Sequence, residues 1–244
     1  MSSSSSTSSV TPLQPQKTIT HVIFDMDGLI LDTETLYEKA INSVTKRYGH
    51  EYPFEVKMKT MGRIGPEGSQ IIIDELKLPL TVDEYSRLVD EEYRKVFTEF
   101  VPLMPGAERL IRHLHNHGIP IAVATSSKAF AFDLKTKHHP ELFQLFHHIL
   151  IASNDAEIVR GKPDPQTFLV CARRFQPPVS ESQMSNVLVF EDSVAGIQAA
   201  NAAGMQSVWV PDPRMPKNSV QSSLVLKSLQ EFKPEQFGLP PFVE

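Results

Sequence analysis

The sequence has a single cysteine, Cys171, in 244 residues, so no intramolecular disulfide can form. Cys171 lies with Phe168, Leu169 and Ala172 in a helical apolar pattern. There a thiol reads as a small core residue, since nothing nearby in the sequence suggests a base to make it a nucleophile. Long hydrophobic runs are missing too: no apolar stretch approaches the ~20 residues that cross a bilayer. Nor is there an excess of basic charge. The formal net charge of -5 excludes a general nucleic-acid binder, which needs a basic patch to displace counterions. It also leaves an anionic substrate without long-range attraction, so a phosphate has to be held locally by a metal, a lysine or backbone N–H groups. These absences suit a cytoplasmic monomer with no nucleic-acid or membrane partner.

What is present is ordinary for a globular protein: 41% hydrophobic and 22% charged residues. The length allows a sizeable core in one domain or two. The opening MSSSSSTSSVTPLQPQK is serine-rich and cannot bury a core, so a disordered tail is expected over residues 1–18. It has no arginine and no amphipathic period, which disfavours a transit peptide.

Thr20 to Phe24 is a short, β-branched apolar run, a buried strand ending at Asp25. Helical spacing follows over Asp32–Tyr48, Pro66–Leu76 and Val82–Phe97, broken at Pro53, Gly62 and Pro79. Beyond Pro102, strands at Ile119–Ala124, His148–Ala152, Asn186–Phe190 and Gln206–Val210 alternate with helices. Alternation of that kind implies right-handed crossovers and a parallel sheet covered on both faces. The pattern predicts an α/β fold: a Rossmann-like parallel core over 19–34 and 103–244, interrupted after the first strand by an all-helical insert over 35–102.

In an open parallel sheet, ligands bind beyond the carboxyl ends of the strands. Asp25-Met26-Asp27-Gly28 follows the first strand, Thr125-Ser126-Ser127-Lys128 the second, and Glu191-Asp192-Ser193 the fourth. Four carboxylates at one edge repel each other unless a cation sits among them. All the candidate ligands are oxygen, which selects a hard ion, Mg²⁺. Lys162, in Gly161-Lys162-Pro163-Asp164-Pro165, precedes a helix for which Asp164 is the expected N-cap, and its ammonium can neutralise charge between nucleophile and phosphate.

Each piece has a plainer reading. Asp-Gly is a common turn, Glu191-Asp192-Ser193 and Thr125-Ser126-Ser127 could cap helices, and a lone lysine is usually solvated. Their joint occurrence in chain order, each at a strand end or helix entry, outweighs those readings. His113, His115 and His117 crowd a helix end, where the dipole favours them more often than zinc does. Gly62, Gly65 and Gly68 follow no strand, so they read as a turn of the insert facing the substrate rather than a nucleotide loop.

HVIFDMDGLILDTE, VATSS, GKPDP and VFEDSVAGIQAANAAGM resemble, in order, the four motifs of the haloacid dehalogenase-like superfamily. LMPGAERLIRHLHNHGIPIAVATSS, FDLKT and FKPEQFGLPPFVE are similar to its eukaryotic pseudouridine-5'-phosphatase group, and related glycerol-phosphate phosphatases share much of the pattern. The resemblance implies a Mg²⁺-dependent phosphatase acting on a small phosphorylated metabolite. It implies Asp25 as nucleophile, Asp27 as general acid and base, and Thr125 with the Ser126 N–H as the phosphoryl grip. It assigns Lys162 to orienting Asp25 and the phosphate, Arg63 to the cap side of the substrate, and Asp25, Asp27, Asp192 and Glu191 to the metal. Family dehalogenases lack the second aspartate, present here as Asp27. Sugar phosphomutases carry a histidine where an ungapped count gives Tyr37 and a cap arginine where it gives Gly65, so hydrolysis is expected over mutase action. A binding protein that kept the fold and lost turnover is disfavoured, since a binder has no need of both aspartates.

Overall fold

Alternating strand residues divide a two-sided core. Val22, Phe24, Ile121, Val123, Leu188 and Phe190 pack into one hydrophobic cluster. Ile23, Ala122, Ala124, Val187 and Val189 pack into a second. This is the period of two expected of strands buried on both faces. The computed structural model describes residues 18–63, 65–216 and 218–243. The expected tail therefore lies, but for Thr18, outside the described residues.

The elements run β1 His21–Phe24, α1 Glu34–Thr45, α2 Phe54–Thr60, α3 Gly65–Leu76, α4 Val82–Val96 and α5 Ala107–Asn116. They continue with β2 Ile121–Thr125, α6 Ala129–Thr136, α7 Pro140–Phe143, β3 His148–Ile151, α8 Gln166–Arg173, β4 Val187–Glu191, α9 Val194–Ala202, β5 Gln206–Trp209 and β6 Leu224–Val225. The described strands form one parallel sheet in the order β3-β2-β1-β4-β5-β6. From β1 the chain first adds strands on one side, then crosses back to add β4 on the other. The switch point therefore lies between β1 and β4, where Phe24 stands opposite Phe190 and their rings stack 5.0 Å apart. Loops that follow strands on the two sides of such a point diverge, leaving a crevice at the carboxyl edge.

Between β1 and β2 the described elements before α5 are helical, and they share a core of their own. Ile41, Val44, Tyr52, Ile72, Leu76, Tyr85 and Val89 form that cluster. Helix α4 starts in a capping box, Thr81 with Glu84. The chain enters and leaves this helical segment side by side: Leu31 bridges Leu103, Asp32 N–H donates to Pro102 O, and Met104 N–H to Ile30 O.

Several expectations shift. Helix α2 was read as a break at Pro53, yet that proline is its N-cap, where a missing N–H is harmless. β6 spans two residues, too short for any period to show. Asp164 is not the cap of α8: the N-cap is Pro165, and Asp164 Oδ1 accepts from Gln166 N–H at 3.0 Å. Cys171 is fully buried as expected, and burial pushes its thiol far up. The three histidines bind backbone carbonyls, His113 to Pro240, His115 to Leu145 and His117 to His113. No helix among the described residues is long and apolar enough to cross a membrane.

Gly106 holds the turn into α5 at φ +90°, and a Cβ there would meet Gln230 N at 2.5 Å. Gly106→Ala is expected to destabilise the protein by more than about 1 kcal/mol, because both the backbone angle and the space oppose it. A thermal melt should fall by at least ~3 °C; an unchanged melt would show that the turn relaxes freely.

Candidate active site

Lys162 occupies the crevice floor with no exposure to solvent. Its ammonium donates to Asp25 Oδ1 at 2.5 Å, Glu191 Oε1 at 2.7 Å and Ala124 O at 3.2 Å. An ammonium stripped of water needs such anionic partners. Burial alone would lower its pKa, but the Asp25 and Glu191 carboxylates outweigh that and hold the cation firmly charged.

Asp25 is placed by β1, its N–H donating to Phe190 O as the strand ladder ends. Burial pushes its carboxyl up to about 7; Lys162 opposes that shift, while Glu191 and Asp27 add to it. Asp192 is held by its backbone, whose carbonyl accepts from Trp209 Nε1 at 2.8 Å. Its carboxylate has no hydrogen bond or ion pair among the described residues. Burial, then Glu191, Glu34 and Asp25, raise its pKa well above the ordinary range. Gly28, at φ +76°, leaves it room: a Cβ there would stand 2.4 Å from Asp192 Oδ2.

The structure separates Glu191 from this group. It is fully buried, its Oε1 faces Lys162, and its Oε2 accepts from Ser193 N–H and Oγ, both at 2.9 Å. With three donors on its oxygens it stands behind the cavity rather than lining it, which sets it apart from its expected place in the metal set. Ser193 also caps α9 by accepting from Gly196 N–H. The capping reading of Glu191-Asp192-Ser193 thus holds for the serine alone. Among the described residues no three His, Cys, Asp or Glu side chains converge as a complete cage. What fits a hard cation is narrower: Asp192 and the Asp25 oxygen not taken by Lys162 are buried carboxylate oxygens with no donor.

Thr125 ends β2 behind the surface, its Oγ1 accepting from Ser127 N–H at 3.1 Å. It therefore shapes the loop that presents Ser126 and Ser127. Ser126 Oγ donates to Gly62 O, and a Cβ on Gly62 would lie 2.3 Å from Ser193 Oγ. This close approach, at φ +75°, seats the helical segment on two of the loops at the strand ends. Between them lies a cavity of about 180 Å³ lined by Asp25, Asp27, Asp192, Ser126, Ser127 and Lys128, and across from them by Gly62, Arg63, Gly65 and Gly68. Arg63 is tied to Glu67 at 2.7 Å and to Lys59 O at 2.8 Å. So the glycine turn does face the cavity, and Glu191, Thr125 and Lys162 stand behind it.

Lys135 had no place in the expected site, yet it is fully buried beside Asp27. Its ammonium donates to Asp27 Oδ1 at 2.6 Å, Ser127 Oγ at 2.5 Å and Tyr37 OH at 2.8 Å. Ser127 Oγ in turn donates to Asp27 Oδ2. Burial would raise the Asp27 pKa, but Lys135 and Ser127 pull it below the usual carboxylate value. The one sequence signal was its position on the apolar face of α6, where a lysine has to be paired.

A sequence model of haloacid dehalogenase-like hydrolases matches residues 19–204. The chain is 47% identical over 227 residues to a probable pseudouridine-5'-phosphatase of Drosophila melanogaster, covering 93% of this chain and 96% of that one. It is 43% identical over 228 residues to (DL)-glycerol-3-phosphatase 2 of Arabidopsis thaliana, covering 92% and 93%. Among solved structures, a β-phosphoglucomutase of Clostridium difficile superposes with a TM-score of 0.73 at 25% identity, covering 90% of this chain and 96% of that one.

Gly196 gives a direct test of the crevice floor, since a Cβ there would stand 1.8 Å from Glu191 Oε1. Gly196→Ala is expected to drive Glu191 off Lys162, and breaking a buried pair costs about 3–5 kcal/mol. The melting temperature should fall by roughly 10 °C. A fall of only a degree or two would show that Glu191 is not held by this contact.

Proposed function

Taking as premise that this chain belongs to the haloacid dehalogenase-like hydrolase family and is a phosphatase, we propose that it hydrolyses small phosphomonoesters through a phosphoryl group carried on Asp25. The observation behind this is the unequal pair Asp25 and Asp27. One carboxylate is bound to a buried ammonium at a single oxygen, and the other is bracketed at both oxygens two residues on.

Asp25, with one oxygen on Lys162, keeps the other for attack on phosphorus. As that P–O bond forms, the bond to the leaving group breaks and its electron pair stays on the leaving oxygen. Asp27 supplies the proton that oxygen needs. A phosphate dianion beside Asp27 raises its carboxyl, which loads that proton at the moment it is required. The carboxylate left behind then takes a proton from water as the water oxygen attacks phosphorus and releases Asp25. Splitting hydrolysis in this way replaces one difficult displacement by two easier ones. Asp25, Asp192 and the Asp27 backbone carbonyl would hold Mg²⁺, which when bound offsets the phosphoryl charge. Thr125, through the loop it shapes, and the Ser126 N–H would position the phosphoryl oxygens.

The helical segment over 35–102 would act as the cap that selects the leaving group. Its cations in the cavity are already matched: Lys57 with Glu34 and Glu38, and Arg63 with Glu67. On the core side Lys128 is matched by Asp90. A second phosphate would have to displace one of these carboxylates, which disfavours mutase chemistry on a bisphosphate. The remaining lining offers hydroxyls. Tyr85 OH is buried, lines the cavity and has no hydrogen-bond partner, so a substrate hydroxyl or carbonyl can satisfy it. A neutral, hydroxyl-rich leaving group fits, and the relatives make pseudouridine 5'-phosphate and glycerol phosphate the first compounds to try.

Asp25→Asn should abolish phosphate release from every member of a phosphomonoester panel while the fold survives, and thorough chelation of Mg²⁺ should do the same. Near-normal turnover by a pure Asp25→Asn protein would point instead to direct attack by water. Tyr85→Phe should raise KM for the preferred substrate about fivefold, the worth of one hydrogen bond. Equal KM values would remove Tyr85 from recognition.

A further inference from the structure

Two lysines are fully buried beside the catalytic aspartates, and the reaction above uses only Lys162. Lys135 comes from α6, on the core side, and reaches Asp27 from beneath. Its ammonium has three donors and three oxygens to receive them, on Asp27, Ser127 and Tyr37. Tyr37 belongs to α1 and Phe97 caps α4, so both arrive from the helical segment. Their rings lie 5.1 Å and 5.4 Å from the ammonium, over which they close. Tyr37 packs edge-on against both Tyr93 and Phe97, so the wall is one aromatic unit.

We infer that Lys135 is a positioning residue for Asp27: its ammonium, shared with Ser127 and Tyr37 inside an aromatic wall, fixes the carboxylate at the place where it meets the leaving oxygen. The inference rests on the acid and base roles given to Asp27 above. The geometry carries the rest. With Oδ1 on Lys135 and Oδ2 on Ser127, the carboxylate has one orientation available. Among the described residues Asp27 is the one carboxylate bonded to this buried ammonium, so its charge is matched there and nowhere else. A misplacement of about 1 Å at such a group can cost 10²-fold in rate. Because the wall belongs to the helical segment, the clamp is complete only while that segment is seated on the core.

The test compares Lys135→Met, Asp27→Asn and the double variant on two substrates, glycerol phosphate and 4-nitrophenyl phosphate. kcat/KM reports only the steps up to phosphoenzyme formation, and the nitrophenolate leaves without needing a proton. Lys135→Met should lower kcat/KM for glycerol phosphate by roughly 10²-fold, and by much less for the aryl ester, following the leaving-group profile of Asp27→Asn. In the double variant the second substitution should add less than about twofold, since both act through one group. Equal losses on the two substrates, or losses that multiply, would overturn the inference and leave Lys135 a structural residue. Should Lys135→Met fail to fold, Lys135→Gln reads the same profile. A normal, leaving-group-independent Asp27→Asn would instead sink the acid–base reading itself.

Discussion

A lysine ammonium with no access to water is unfavourable by several kcal/mol unless carboxylates take the place of its hydration shell. Lys162 meets that demand by binding Asp25 and Glu191, and in doing so it joins the ends of β1 and β4 across the switch point. The charge balance of the crevice follows from this. One ammonium serves two of the carboxylates there, Lys135 serves Asp27, and Asp192 is left over with no donor among the described residues. An unneutralised, buried carboxylate next to a half-free Asp25 is what a divalent cation and a phosphate together would complete. The residues around the pair are shaped to keep it: Gly196 has no side chain because Glu191 fills that space, and Gly28 has none because Asp192 does.

Legibility in the sequence divides along the length scale of the signals. β1, β2, β3, β4 and β5 were readable to within a residue or two at each end, because strands buried on both faces are unbroken apolar runs bounded by glycine, proline or polar loops. The placement of Asp25, Asp27 and Asp192 at strand ends followed from topology alone. What was not legible depends on contacts distant in sequence. Whether Glu191 or Asp192 turns towards the cavity cannot be read from two adjacent acids; it is decided by Lys162, 29 residues away from Glu191, and by Ser193. Lys135 showed only as a lysine on the apolar face of α6, because its partner Asp27 lies 108 residues earlier. Helix α2 was hidden by Pro53, a residue that both ends and begins helices.

The same distant contacts seat a helical segment with a core of its own at the sheet edge. Its two connections run as a paired ribbon, Leu31 against Leu103, so the segment is carried directly above the carboxyl ends of β1 and β2. Polar ties then fix where it sits. Gly62 O accepts from Ser126, Asp90 holds Lys128 through both oxygens, and Glu38 draws Arg214 and Lys57 together. Apart from Lys57, which belongs to the segment itself, these ties are modest, partly exposed contacts of the kind worth about 1 kcal/mol or less each. On the proposed capping role they would break to admit substrate and re-form around it.

Division of labour within the cavity follows from where each charge is matched. On the core side, the carboxylates outnumber the cations, and on the proposed reaction a metal and a phosphate together would complete that balance. On the helical side, Lys57 and Arg63 each already have a carboxylate, and among the described residues the buried hydroxyl of Tyr85 there is unmatched. One end of the cavity thus discriminates by charge and the other by hydrogen bonding and shape. A leaving group bearing a second phosphate gains nothing at the helical end unless it breaks an ion pair there, whereas a sugar or polyol gains a hydrogen bond with no pair broken. On the proposed reaction, that asymmetry, more than the reacting residues themselves, would separate hydrolysis of a small monophosphate from the transfer chemistry that the same fold supports elsewhere.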